Sequence, residues 1–154
     1  MKVNEQAYRE ASLGHIYVAQ NLLEQNQFLV ASYLAGLSVE CMLRAYAYRV
    51  DSAFNARHKL DEWYKKSHFD AVVPEDRQKD IGAALSLVVS QWNNSQQYYS
   101  LELLKSSWKS AELDRGIKGD FVKELTRRLV NAALEIVTLG EAQWKNWLKR
   151  SGDF

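Results

Sequence analysis

The sequence predicts an all-α protein, an antiparallel up-and-down four-helix bundle with one or two short extra helices, forming a single domain over residues 1–154. Three observations point there. One proline and seven glycines in 154 residues leave few places for turns, and an abundance of Ala, Leu, Glu, Gln, Lys and Arg favours helices. Apolar residues recur at helical spacing over several long stretches. With 47% of residues apolar or aromatic, the chain can build one sizeable core and is too short to divide comfortably into two.

The elements follow in order. Asn4 suits a helix cap, and from there Ala7, Ala11, Gly14, Val18 and Leu22 recur on one stripe, with Tyr8, His15 and Ala19 alongside, giving an amphipathic first helix that ends near Gln25. The stretch from Asn26 to Val50, "NQFLVASYLAGLSVECMLRAYAYRV", is apolar on almost every side and reads as the central helix. Its charged exceptions Glu40 and Arg44 are one turn apart and can pair. Asp51 to Arg57 reads as a loop, followed by a short helix marked by Leu60, Trp63, Tyr64 and Ser67.

Pro74, Glu75 and Asp76 form a helix start. The stripe Ile81, Ala84, Leu85, Val88, Val89 and Trp92 follows, and "NNS" at 93–95 ends it. The segment from Gln96 to Gly116 holds at most one short helix, around Leu101 to Lys109. Asp120 caps a last long helix carrying Phe121, Leu125, Leu129, Ala132, Ile136 and Leu139, which extends toward Arg150 with Trp144, Trp147 and Leu148 clustered at its end.

The net charge of +1 is interspersed, so composition alone gives no strong electrostatic capture of nucleic acid. The lone Cys41 excludes an intramolecular disulfide or a cysteine-based zinc site and reads as a small core residue. The first ten residues lack a secretory pattern, and no uncharged run approaches membrane-spanning length, so a soluble, cytoplasmic protein is expected.

Glycine-rich phosphate loops, a Gly-x-Ser-x-Gly elbow and paired carboxylate-x-x-His motifs are absent. His15, His58 and His68 lie on different elements, so no metal site and no cofactor are expected. Arg9 and His15 are suggestive of ribonuclease chemistry, but six helical steps rotate about 240° and separate them. The expectation is a core-bordering His15 and a solvated Arg9. His58 sits where a helix begins and can bond a free amide or a carboxylate such as Asp61 or Glu62, or can face a nucleotide-sized cleft near Glu40 and Arg44. Trp92 and Trp108 are suited to stacking a base and, at helical spacing, are expected in the core.

Three segments in order, "SYLAGLSVECMLRAYAYR", "RHKLDEWY" and "WNNSQQYYS", followed by the long last helix, resemble the HEPN domain family (higher eukaryote and prokaryote nucleotide-binding). The first is similar to the family's second helix, the second to its histidine-x-leucine helix start, and the third to a tryptophan-then-tyrosine segment. The likeness runs from about Tyr8 to Gln143.

It implies an up-and-down four-helix bundle, commonly dimeric, often encoded beside a minimal nucleotidyltransferase or acting as an RNA-cutting toxin. Many active members carry an arginine and, a few residues on, a histidine in the C-terminal half. Here no histidine follows His68, so ribonuclease activity is not carried over and no catalytic residue is assigned. The expectation is a homodimeric module that contacts a nucleotide, RNA or a nucleotidyltransferase partner, with Glu40, Arg44, Tyr48 and His58 as candidate binding or interface residues. The alternative is a divergent endoribonuclease combining Arg44, Arg49 and His58 across a dimer interface.

Overall fold

The structure is a computed structural model that describes residues 2–152. Among these the chain is helical without a strand: α1 (Glu5–Glu24), α2 (Phe28–Val50), α3 (Leu60–Ser67), α4 (Phe69–Val72), α5 (Gln78–Gln91), α6 (Leu101–Ser110) and α7 (Phe121–Ser151), with 3-10 turns at Glu75–Arg77 and Asn94–Tyr98. The expected caps form. Asn4 Oδ1 accepts the Ala7 N–H at 2.8 Å and Asp120 Oδ1 accepts the Lys123 N–H at 3.1 Å, each satisfying a free first-turn amide. Pro74 precedes a 3-10 turn before α5 rather than opening the α-helix directly, and the one-turn α4 was not expected.

α2 lies at the centre, packed by α1, α3 and α7, while α5 packs on α7. A tight turn through Asn26, whose φ of 58° asparagine tolerates, makes α1 and α2 an antiparallel hairpin. Ser12 Oγ donates to the Ser38 carbonyl at 2.6 Å across it. α2 and α7 meet through Ser32 and Thr126, whose hydroxyls are 3.0 Å apart, and through the Tyr46 hydroxyl, which donates to the Gly140 carbonyl at 2.7 Å. Trp92 lies flat against Gly36, where a Cβ would overlap its Cγ and Cδ1, and its indole N–H donates to the Tyr33 carbonyl at 3.0 Å. Trp108, Leu104, Val122 and Leu125 form a smaller satellite core between α6 and the start of α7. Trp92 and Trp108 are thus both core residues, with no open face to stack a base.

The face that α1 buries also differs from the sequence reading. On α1 the buried face is Ser12, Ile16 and Ala19, with Tyr8 and Leu23 half-covered, whereas Ala7, Gly14 and Val18 are exposed. Two stripes compete on this helix, and the one that wins contains Ser12, because its hydroxyl finds a carbonyl across the hairpin. By length and composition alone α2 could also cross a bilayer, with a mean hydropathy of 1.4 over its most apolar window. That window is 61% buried within the fold, which is how an all-round apolar helix behaves at the centre of a helical core.

Candidate functional site: a clamp on the loop between α2 and α3

Four residues expected to matter, Glu40, Arg44, Tyr48 and His58, converge where α2 gives way to α3. Glu40 is 2% exposed, deep on α2. Its Oε1 lies 2.9 Å and its Oε2 3.1 Å from His58 Nδ1, and its Oε2 lies 3.4 Å from Arg44 Nε. His58 therefore takes its carboxylate from the central helix, eighteen residues away, and not from Asp61 or Glu62. It does not cap α3 either; Lys59 occupies that position without a side-chain cap.

Arg44 is 12% exposed and spends its guanidinium inside the chain. Nη1 donates to the Tyr8 hydroxyl at 3.2 Å, Nη2 donates to the Arg57 carbonyl, and the plane sits 4.5 Å from the Trp63 ring centroid. The same Arg57 carbonyl accepts the Trp63 indole N–H at 2.7 Å. Tyr48 closes the cluster with its ring 5.2 Å from Tyr8 and 5.9 Å from Trp63. Arg57 itself adopts φ 54°, its N–H donates to Asn55 Oδ1 at 2.8 Å, and the Lys59 N–H donates to the Ala56 carbonyl at 3.2 Å, so both backbone and side-chain bonds hold the loop. Outside the clamp, Arg57, His58 and Lys59 are all exposed.

The electrostatics follow from burial. Desolvation pushes the Glu40 carboxyl above its ordinary value, and Arg44 and His58 pull it back. The neighbouring Cys41 thiol is pushed up to about 12 by burial and by the Glu40 charge, so it stays a thiol. With Glu40 ionised the carboxylate only accepts hydrogen bonds, so the proton sits on His58 Nδ1, and Nε2 has no protein partner among the described residues. A histidine oriented by a carboxylate, with its other nitrogen free, is competent as a general base or as a phosphate contact.

Arg49 does not join this cluster. It faces the opposite side of α2, stacked on Tyr46, Trp144 and Trp147 with centroid distances of 4.7, 4.5 and 4.0 Å, and burial lowers its pKa. Arg9 is not solvated as expected: it holds Glu141 of α7 through Nη1 at 2.7 and 2.8 Å. His15 borders the core, half-buried, with its pKa lowered by desolvation.

Sequence reasoning missed Tyr8 and Trp63 as partners of Arg44. The i, i+4 spacing of Glu40 and Arg44 was the one local signal, since the other contacts come from α1 and α3. Among the described residues no three His, Cys, Asp or Glu side chains gather as a metal site would require. No family model matches the sequence, and no curated protein or solved structure is significantly similar to it.

Proposed function

We propose that the protein is a HEPN-like module in which α1, α2, α5 and α7 make an up-and-down four-helix bundle, acting in the cytoplasm through homodimerisation and contact with a nucleotide, RNA or protein partner, and without ribonuclease activity. The observation that carries this reading is the clamp. Arg44, the arginine of the family-like segment, is committed to Tyr8, Arg57, Glu40 and Trp63, so it is a poor phosphate ligand. What it does instead is hold out a fixed run of three exposed residues, Arg57, His58 and Lys59. A rigid loop presenting basic side chains loses little entropy on binding an anionic partner.

Dimerisation has its own support. The α2 surface is largely consumed inside the fold, so the all-round apolar character of that helix is not itself the reason. On the side of the α1–α2 hairpin away from α7, however, Ala11, His15, Val18 and Leu22 of α1 share an open face with Val30, Leu34 and Leu37 of α2. No charge interrupts it before Arg44. A second copy of the same face across a twofold axis would cover it. A nucleotidyltransferase remains the protein partner that the family resemblance suggests.

One observation favours a second reading, a divergent endoribonuclease. With Nδ1 on Glu40 and no partner for Nε2 among the described residues, His58 can take the proton of a ribose 2′-hydroxyl, with Arg57, rather than the committed Arg44 or the distant Arg49, beside the phosphate. A single experiment separates the two. Purified protein is incubated with single-stranded RNA without metal, and binding and cleavage are read together. The first reading expects binding weakened in Arg57→Ala and Lys59→Ala with the RNA intact; cleavage that disappears in His58→Ala establishes the second instead.

A further inference from the structure

A cleft of about 490 Å³ opens between α3 and α5, apart from the clamp. Val39 of α2 forms its floor, and Leu60, Tyr64, Leu85, Val88 and Val89 form its walls. Val89 is exposed although large and apolar. Its size falls in the range of small-molecule sites.

Gly82 lines the same cleft from the interior of α5, with nothing within 4 Å of where a Cβ would stand. A glycine inside a helix costs stability relative to alanine, and here neither a close neighbour nor a positive φ requires it. Its effect is to keep that wall recessed. The polar atoms of the lining have a definite sign. Asp61 is its one charged residue, and no lysine or arginine lines it. Among the described residues the Asp61 carboxylate and the Ser86 hydroxyl have no hydrogen-bond or ion-pair partner, and the Tyr64 hydroxyl has no hydrogen bond.

We propose that this cleft binds a small amphipathic amine, its apolar body between α3 and α5 against the recessed Gly82 wall and its ammonium on Asp61. An anionic ligand finds no cation there, and a nucleotide is excluded for that reason. The assignment is independent of the HEPN-like reading, since it uses neither the clamp nor the dimer face. Asp61 also lies in the first turn of α3, where a carboxylate meets the positive end of the helix dipole. A purely structural role of that kind predicts no ligand preference, which the test reads directly.

Backbone amide shifts are followed while the protein is titrated with 4-phenylbutylamine, 4-phenylbutanol and 4-phenylbutyrate. The expected result is saturable binding of the amine with shifts confined to α3 and α5, about fivefold tighter than the alcohol, which is the yield of one rim ion pair, and weakest binding of the carboxylate. Asp61→Asn should bring amine and alcohol level. Gly82→Leu should abolish binding of both, and where that variant folds poorly, Val89→Trp at an already exposed position fills the same space. Equal binding of all three compounds, an unchanged preference in Asp61→Asn, shifts elsewhere in the fold, or no binding by any of them overturns the proposal.

Discussion

Replacing Arg44 by methionine isolates what the clamp contributes. The change leaves Glu40, 2% exposed, with only half-exposed His58 beside it, and it removes the donors to Tyr8 and Arg57 and the cation over Trp63. Breaking a buried ion pair by deleting one partner costs about 3–5 kcal/mol, because the remaining charge keeps its desolvation penalty. Arg44 retains some solvent contact and Glu40 retains His58, so the low end, about 3 kcal/mol, is expected.

For a domain of this size that is a fall of about 6–12 °C in Tm. Adding Glu40→Leu removes the stranded charge. Trp63 still donates to the Arg57 carbonyl and His58 can turn to water, so the double variant should recover to within about 1 kcal/mol of the parent, the remainder being the lost cation–π contact and hydrogen bond. Urea titration of the two single variants and the double variant gives the coupling energy. If Arg44→Met leaves the midpoint unchanged, or if the double variant is as unstable as the single, the pair is not a desolvated clamp. An unchanged midpoint accompanied by loss of nucleotide or RNA binding would move Arg44 from the scaffold to the binding surface.

Two further outcomes test the packing. Gly36→Ala forces a methyl into the Trp92 indole, which is fixed by its bond to the Tyr33 carbonyl, and should cost about 3 kcal/mol; near-parental stability by denaturant titration would show that Trp92 does not sit there. Cys41, buried and with its thiol raised to about 12, should react with a chromogenic disulfide reagent on the order of a thousandfold more slowly in the folded protein than in urea, because reaction must wait for opening. Rapid labelling of the native state would contradict its burial.

The long helices were legible because each carries its own signals: Asn4 and Asp120 as caps, the apolar density of α2, and the stripe from Phe121 to Leu139. The face that α1 buries was not, since Ala7–Ala11–Gly14–Val18 and Tyr8–Ser12–Ile16–Ala19 are both apolar enough to pass. The choice between them depends on a carbonyl, that of Ser38, supplied by another helix. For the same reason half of the clamp was visible. Glu40 and Arg44 announce each other along one helix, but the indole and phenol that hold Arg44 come from elements 19 residues ahead of it and 36 behind. Trp144 and Trp147 read as a terminal cluster, and nothing local indicated that Arg49 would fill it.

The central helix also sets an order of events during synthesis. α2 can pair with α1 as soon as both have emerged, but the face it turns to α7, including Met42 and Tyr46, finds Gly140 and Trp144 only some ninety residues later. At typical elongation rates that interval is on the order of ten seconds. Throughout it, the nascent chain displays a 23-residue helix of bilayer-like hydropathy with one flank uncovered. By length and composition alone, that exposed hairpin has the character of a membrane segment. Glu40 and Arg44 lower its mean hydropathy without removing that character; the packing of α7 does, by covering the exposed flank.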